Sequence, residues 1–276
     1  MTNHLLIFGL GYSGQAVADL ALSQGWQVTA TQRRPTAAPV IPFDAASEAV
    51  RAATHILATA APTEHGDPVL AAYASQIAAA PNLRWLGYLS TTGVYGDRQG
   101  AWVDEHTPPA PSSARGHRRL AAERQWAMLA DRCPVDLFRL AGIYGPGRSA
   151  FDDLRAGTAR RIIAAGHLFG RIHRDDIAGA VMAAAANPGQ GVRVLNGADD
   201  LPAASADVIA EAAALLGIEP PQAQRYEDVV LSDMARSFWA ENRRVASTLT
   251  QQWLDRQWRF PTYREGLRAI LAAEAR

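Results

Sequence analysis

The stretch LLIFGLGYSGQAVADLALSQGWQVTATQ, residues 5–32, decides the fold. Leu5–Leu10 is a continuous apolar run, which suits a central parallel strand buried on both faces. Gly9, Leu10, Gly11, Tyr12, Ser13 and Gly14 follow at the spacing G-x-G-x-x-G and lead into a helical run over Ala16–Gln24. WQVTATQ (26–32) then reads as a second strand. In this strand–turn–helix setting, glycines permit a tight turn and close backbone approach, and the helix N-terminus receives a pyrophosphate. These six residues are therefore expected to bind a dinucleotide.

Working outward, HILATA (55–60), LRWLGYLS (83–90) and PVDLFRL (134–140) supply further strands, with helices expected over 67–79 and 113–131. Proline and polar content mark loops at 35–42, 61–68 and 97–113. The last is long enough to suggest a lid or binding element. Beyond GPGRS (145–149) the alternation weakens. RIHRDDIAGAVMAAAA (171–186) reads as a helix and GVRVLNG (191–197) as a strand, and from Leu201 the chain is mostly helical. The pattern predicts an α/β fold, a doubly wound parallel sheet with a smaller, mostly helical part. The expected division is 1–146 with 170–198 for the dinucleotide and 147–169 with 199–276 for a substrate, with the cleft between them at the carboxyl ends of the strands.

With 276 residues, 48% of them hydrophobic and 20% charged, the chain can build a sizeable core. Lys and Arg total 27 and Asp and Glu also 27, so net charge gives no reason to expect nucleic acid or an anionic membrane as a partner. A single cysteine, Cys133, rules out an intrachain disulfide and fits a reducing compartment. The start lacks the basic region of a signal peptide, and the apolar run 177–186 is too short to span a bilayer. A soluble cytoplasmic monomer or homodimer acting on a small molecule is expected. No His, Cys or carboxylate cluster has metal-ligand spacing, so no metal is expected.

Cofactor choice is read at the end of the second strand. An NAD-selective turn places an acid about 20 residues after the glycines. Here the sequence is Thr31-Gln32-Arg33-Arg34, and paired guanidinium groups suit a 2′-phosphate. NADP is therefore expected, with NAD as the alternative. Asp44 is a candidate for the adenine amine, or else a helix cap.

Four later stretches carry a family likeness. LSTTGVYGD (89–97), FRLAGIYGPG (138–147), RIHRDDIAGAV (171–181) and VLNGADD (194–200), in this order, resemble the extended short-chain dehydrogenase/reductases, the epimerase/dehydratase group. The resemblance covers nearly the whole chain and implies a Rossmann fold, a nicotinamide cofactor and hydride chemistry. It implies a catalytic hydroxyl at Thr91. It also implies a Tyr-x-x-x-Lys pair on the helix after the long loop, where the tyrosine exchanges a proton and the lysine lowers its pKa and holds ribose. Aligned on Leu120-Ala121-Ala122-Glu123, those two positions fall on Arg115 and Arg119 in SARGHRRLAAE (113–123). Arginine stays protonated and cannot exchange a proton as tyrosine does.

Cations in the first turn of a helix oppose its dipole, and two of them four residues apart repel, so a ligand anion is the expected compensation. The competing reading pairs Arg119 with Glu123 and leaves Arg115 in solvent. Tyr95 and Tyr144 are expected in the core, His117 in solvent, and His173 in a structural hydrogen bond. Asp104 and Glu105 are expected to point apart. Arg148 and Arg171 are candidate substrate contacts, Arg160 and Arg161 suit the surface equally well, and Trp102 is either a lid or a satellite of the core. Two functions follow. One is an NADP-dependent oxidoreductase or epimerase for an anionic substrate, nucleotide- or sugar-linked compounds being candidates. The other is a catalytically silent NADP-binding sensor or scaffold.

Overall fold

The computed structural model describes residues 2–33 and 40–275. The first half runs β1 (His4–Phe8), α1 (Tyr12–Ser23), β2 (Gln27–Gln32), β3 (Val40–Pro42), α2 (Ser47–Ala52), β4 (His55–Ala58), α3 (Pro68–Ala79), β5 (Trp85–Thr91), β6 (Trp102–Val103), α4 (Ala114–Ala127) and β7 (Val135–Leu140). It continues with β8 (Gly142–Tyr144), α5 (Ala150–Arg155), β9 (Arg161–Ile163), β10 (Arg171–His173), α6 (Arg174–Ala186) and β11 (Val192–Gly197). The remaining elements are α7 (Ser205–Leu216), β12 (Ala223–Arg225), α8 (Asp233–Trp239), β13 (Arg244–Val245), α9 (Thr248–Trp253) and α10 (Tyr263–Glu274).

Seven strands form one sheet in the order β11-β7-β5-β4-β1-β2-β3, and every pairing is parallel. The expected doubly wound sheet is present. Its strand order reverses beside β1, so the crevice opens at the carboxyl ends of β1 and β4. Side chains alternate across β1. Leu5 and Ile7 join one cluster with Val17, Ala21, Val181 and Ala184 of α1 and α6, while Leu6 and Phe8 join Val50, Ile77 and Trp126 of α2, α3 and α4 on the other face. Alanines in α1 and α6 let the two helices pack closely, which gives the chain's alanine richness a packing role beyond helix propensity.

Three strands at the far side are tied by one carboxylate. The Trp85 indole donates to Asp136 at 2.7 Å, and Arg193 donates to both oxygens of Asp136 at 2.7 and 2.8 Å. Gly87 leaves room for that indole, since a Cβ there would lie 2.2 Å from the Trp85 ring. A third cluster joins Tyr144 and Phe151 to Val208, Ala212, Leu267 and Ile270 of α7 and α10. Leu254 and Trp258, by contrast, pack with the cluster under α1 and α6.

The structure corrects three element readings. Within the loop expected over 97–113, Trp102–Val103 form β6, paired with β13. Part of the loop expected over 35–42 is β3, an edge strand whose flanking prolines mimic loop composition. The helix expected to start at 171 begins at Arg174, because Arg171–His173 pair in parallel with Gly142–Tyr144. Among the described residues no helix is long and apolar enough to cross a membrane.

Candidate active site

The crevice is a cleft of about 700 Å³. Its floor is the glycine turn, and its walls are the end of β5, the start of α4, β8, and the segments around Phe169 and Trp239. Gly9 takes φ +101°, a region that favours glycine, and a Cβ on Gly14 would lie 2.5 Å from the Gly9 carbonyl oxygen. Nothing stands within 4 Å of the place a Gly11 Cβ would occupy. The start of α1 carries no acid in its first turn and no side-chain cap. The helix start therefore lines the cleft with no side chain capping its first N–H groups, an arrangement suited to an anion.

The turn is pinned from three sides. Thr59 donates to the Gly9 carbonyl at 2.5 Å, the Gly9 N–H reaches Thr31 at 3.3 Å, and Gln32 donates to the Leu10 carbonyl at 3.0 Å. Tyr12 donates to the Pro146 carbonyl at 2.9 Å and lies under two guanidinium groups, Arg174 at 4.9 Å and Arg148 at 5.7 Å from its ring centre. Burial raises the Tyr12 hydroxyl pKa above its usual value. Arg33 is exposed at the end of β2, and Arg34 lies outside the described residues. Asp44 is exposed on a 3₁₀ turn over Phe43–Ala45, and α2 begins at Ser47 with no side-chain cap, so Asp44 does not cap that helix.

Thr91 ends β5, and its hydroxyl oxygen accepts from the Gly93 N–H at 3.1 Å. That leaves its hydrogen free to donate into the cleft. Ser113 caps α4 by accepting from the Gly116 N–H at 3.2 Å. Arg115, an exposed residue, lines the cleft with its guanidinium partly shielded over the Phe238 ring at 5.6 Å. Burial, then the charges of Arg119 and Arg118, draw its pKa down.

Arg119 is 7% exposed and donates to the Leu89 carbonyl at 2.6 Å and to the Tyr88 hydroxyl at 3.1 Å. The competing reading, a pair between Arg119 and Glu123, is not what the structure shows. Glu123 is instead held in a buried ion pair by Arg139 at 2.8 Å, and it also accepts from Ser90 at 2.5 Å. A carboxylate facing the sheet has a better partner in β7 than on its own helix.

Arg148 is exposed at the cleft edge, and Arg171, also in the lining, donates to the Phe169 and Ala203 carbonyls at 2.9 Å each. Arg160 is not in the lining; it is exposed and donates to the Val230 carbonyl. Arg161 sits in β9, also outside the lining. Tyr95 is fully buried and donates to Asn196 at 2.8 Å, His117 is exposed, and His173 Nδ1 accepts from the Asp175 N–H at 3.1 Å. Tyr144 is in the third cluster and also touches the cleft. Asp104 turns to Thr107, while Glu105 accepts from Thr250. Trp102 lines a separate hollow of about 840 Å³ that shares only Val245 with the cleft. Among the described residues no group of three His, Cys, Asp or Glu could hold a metal ion.

Residues not anticipated from the sequence also line the cleft, among them Thr59, Phe238, Trp239, Glu241 and Arg243. Glu241 and Arg243 come from ENRRVAS (241–247), about 150 residues beyond Thr91. The parallel pairing of β13 with β6 and hydrogen bonds linking Asn242 and Arg243 to residues 96–100 bring them to the site, and two-residue strands leave no periodic signal.

The fold is a Rossmann-type α/β architecture, the one found in the extended short-chain dehydrogenase/reductases, with a glycine-floored cleft at the carboxyl ends of its strands. Human epimerase family protein SDR39U1 (isoform 2), solved with NADPH, superposes with a TM-score of 0.77 at 20% identity over 98% of this chain and 99% of that one. The chain belongs to one family with a functionally unknown conserved protein from Silicibacter pomeroyi DSS, 43% identical over 100% of both chains, with a TM-score of 0.87. Protein YeeZ of Escherichia coli K12 is 29% identical over 238 residues, 78% of this chain and 85% of that protein. No protein-family profile matches the chain.

Proposed function

We propose that the protein binds NADP and uses it for hydride chemistry on a small anionic substrate. One observation carries this reading: a single cleft is lined both by the glycine turn at the start of α1 and by Thr91 at the end of β5 and Arg115 in the first turn of α4. The open space over Gly11 and the uncapped helix start suit a pyrophosphate, and Arg33 suits a 2′-phosphate. Residues 1–146 with 170–198 would hold the dinucleotide, and 147–169 with 199–276 the substrate.

The bound nicotinamide supplies the hydride and nothing further is asked of it. Thr91 donates to the reacting oxygen, and Arg115 stabilises the negative charge that builds there. The proton that completes a reduced carbonyl comes from water, since neither arginine gives one up at neutral pH. Arg119, spent on the Leu89 carbonyl and Tyr88, acts as a positioning residue for the end of β5. This arrangement favours chemistry in which an oxyanion is stabilised over chemistry that needs a strong general acid.

A second reading rests on the same substitution. With arginine in the tyrosine's place, the chain would bind NADP without turnover and report its level to a partner. The two separate in one assay. NADPH oxidation is followed over a panel of nucleotide sugars and 2-oxo acids, with the unmodified protein and with Thr91→Val. The enzyme reading expects turnover that falls at least tenfold in Thr91→Val while NADPH affinity holds. Tight NADPH binding with no turnover over the panel would favour the sensor.

A further inference from the structure

Arg243 is fixed by bonds on one side of its guanidinium. Its Nη1 donates to the Gly96 carbonyl at 2.8 Å and to Glu241 at 2.7 Å, while Glu241 also accepts from Ser112 at 2.6 Å. The other terminal nitrogen, Nη2, has no hydrogen-bond partner among the described residues. It lies 3.9 Å from the point a Gly93 Cβ would occupy, and the Thr91 hydroxyl lies 3.5 Å from that same point. Arg115 enters the cleft from α4, and its guanidinium has no acidic partner among the described residues.

We infer that Arg243 and Arg115 form a clamp for a doubly charged anionic group of the substrate, a phosphate monoester or a pair of carboxylates, held beside Thr91. The inference deepens the reading that this cleft takes an anionic substrate and rests on it. Charge points the same way. The cleft lining carries five arginines, Arg115, Arg119, Arg148, Arg171 and Arg243, against one carboxylate, Glu241, which suits a group with more than one negative charge. Glu123 does not count, because Arg139 neutralises it.

Geometry sets the partner. Two guanidinium groups arriving from different elements can each present N–H groups to one anion, and forked donors match carboxylate and phosphate oxygens. Arg243 is already immobilised through Nη1, so little side-chain entropy is lost when Nη2 engages. Glu241 anchors it without covering the free nitrogen. The clamp also accounts for the lone uncompensated cation at the first turn of α4, which otherwise opposes the helix dipole with no return.

The test is isothermal titration of malonate and of inorganic phosphate, with acetate as the singly charged control. Each is added to the protein with and without saturating NADPH. Both dianions, or one of them, are expected to bind at least tenfold more tightly than acetate, and the tighter of the two identifies the head group. Arg243→Gln and Arg115→Ala should each weaken that binding at least tenfold, Arg243→Lys less, and Arg160→Ala, outside the cleft, less than twofold. Melting temperatures of the variants separate loss of the clamp from loss of the fold, and Arg115→Ala removes no side-chain hydrogen bond among the described residues. Dianions binding no better than acetate, or binding unaffected by Arg115→Ala, would overturn the clamp. Failure of NADPH to bind while malonate still does would instead count against the cofactor reading and leave the clamp standing.

Discussion

The guanidinium of Arg119 is enclosed by Tyr88 and the end of β5, while that of Arg115, one turn earlier on the same helix, stands in the cleft. Replacing them should therefore give opposite signatures. Arg119→Ala leaves a buried carbonyl and a buried phenol without their donor, and urea unfolding should show a loss of about 2–3 kcal/mol. Arg115→Ala should change stability by less than about 0.5 kcal/mol, as at ordinary exposed sites. Comparable destabilisation by both would contradict these placements. The glycine turn and Thr91 were readable because each motif sits next to a strand that the sequence also announces. Arg119 was only half readable: its position on α4 follows from spacing, but its bond to the Leu89 carbonyl depends on how β5 ends against the helix. Arg243 was invisible, since nothing local links it to Thr91.

Asp199 offers a pH test at the same scale. Burial raises its carboxyl pKa to about 8, against the opposing pull of Arg171. The folded state therefore holds a proton that the unfolded chain releases near the ordinary aspartate value of about 4. Stability from this group is complete below about pH 4 and is lost as pH rises toward 8. Asp199→Asn cannot titrate, so its stability should gain on that of the unmodified protein between pH 5 and 8. Parallel pH profiles of melting temperature for the two proteins would refute the assignment.

Among the elements, α4 is held to the sheet by charge as well as by apolar contact. Glu123 sits between Ser90 of β5 and Arg139 of β7, and Arg139 lies over the Tyr95 ring at 4.8 Å. Glu123→Leu alone would strand a buried guanidinium, at a cost of about 3–5 kcal/mol, whereas Glu123→Leu with Arg139→Met together should come close to neutral. Additive losses in that double-mutant cycle would mean the pair is not coupled. Sequence marked six of the seven sheet strands and the helices α1, α3, α4 and α6 to within a few residues, because buried parallel strands are apolar runs and the helices between them are alanine-rich. It lost β3 and the short strands outside the sheet, β6, β8, β9, β10, β12 and β13. Prolines disguise β3, and the others are two or three residues long, β10 running straight into α6.

For the whole molecule, one parallel sheet sets the site by placing its strand-order reversal under a glycine turn and the end of β5. This was legible from the alternation of strands and helices. The walls supplied by Phe238, Trp239, Glu241 and Arg243 were not, because short pairings far apart in the chain assemble them. Calorimetric titration of the unmodified protein with NADPH and NADH asks whether the cleft takes NADP, as proposed. NADPH is expected to bind at least ten times more tightly, a difference of about 1.4 kcal/mol. Equal affinities for the two, or no binding of either, would rule the proposed cofactor out.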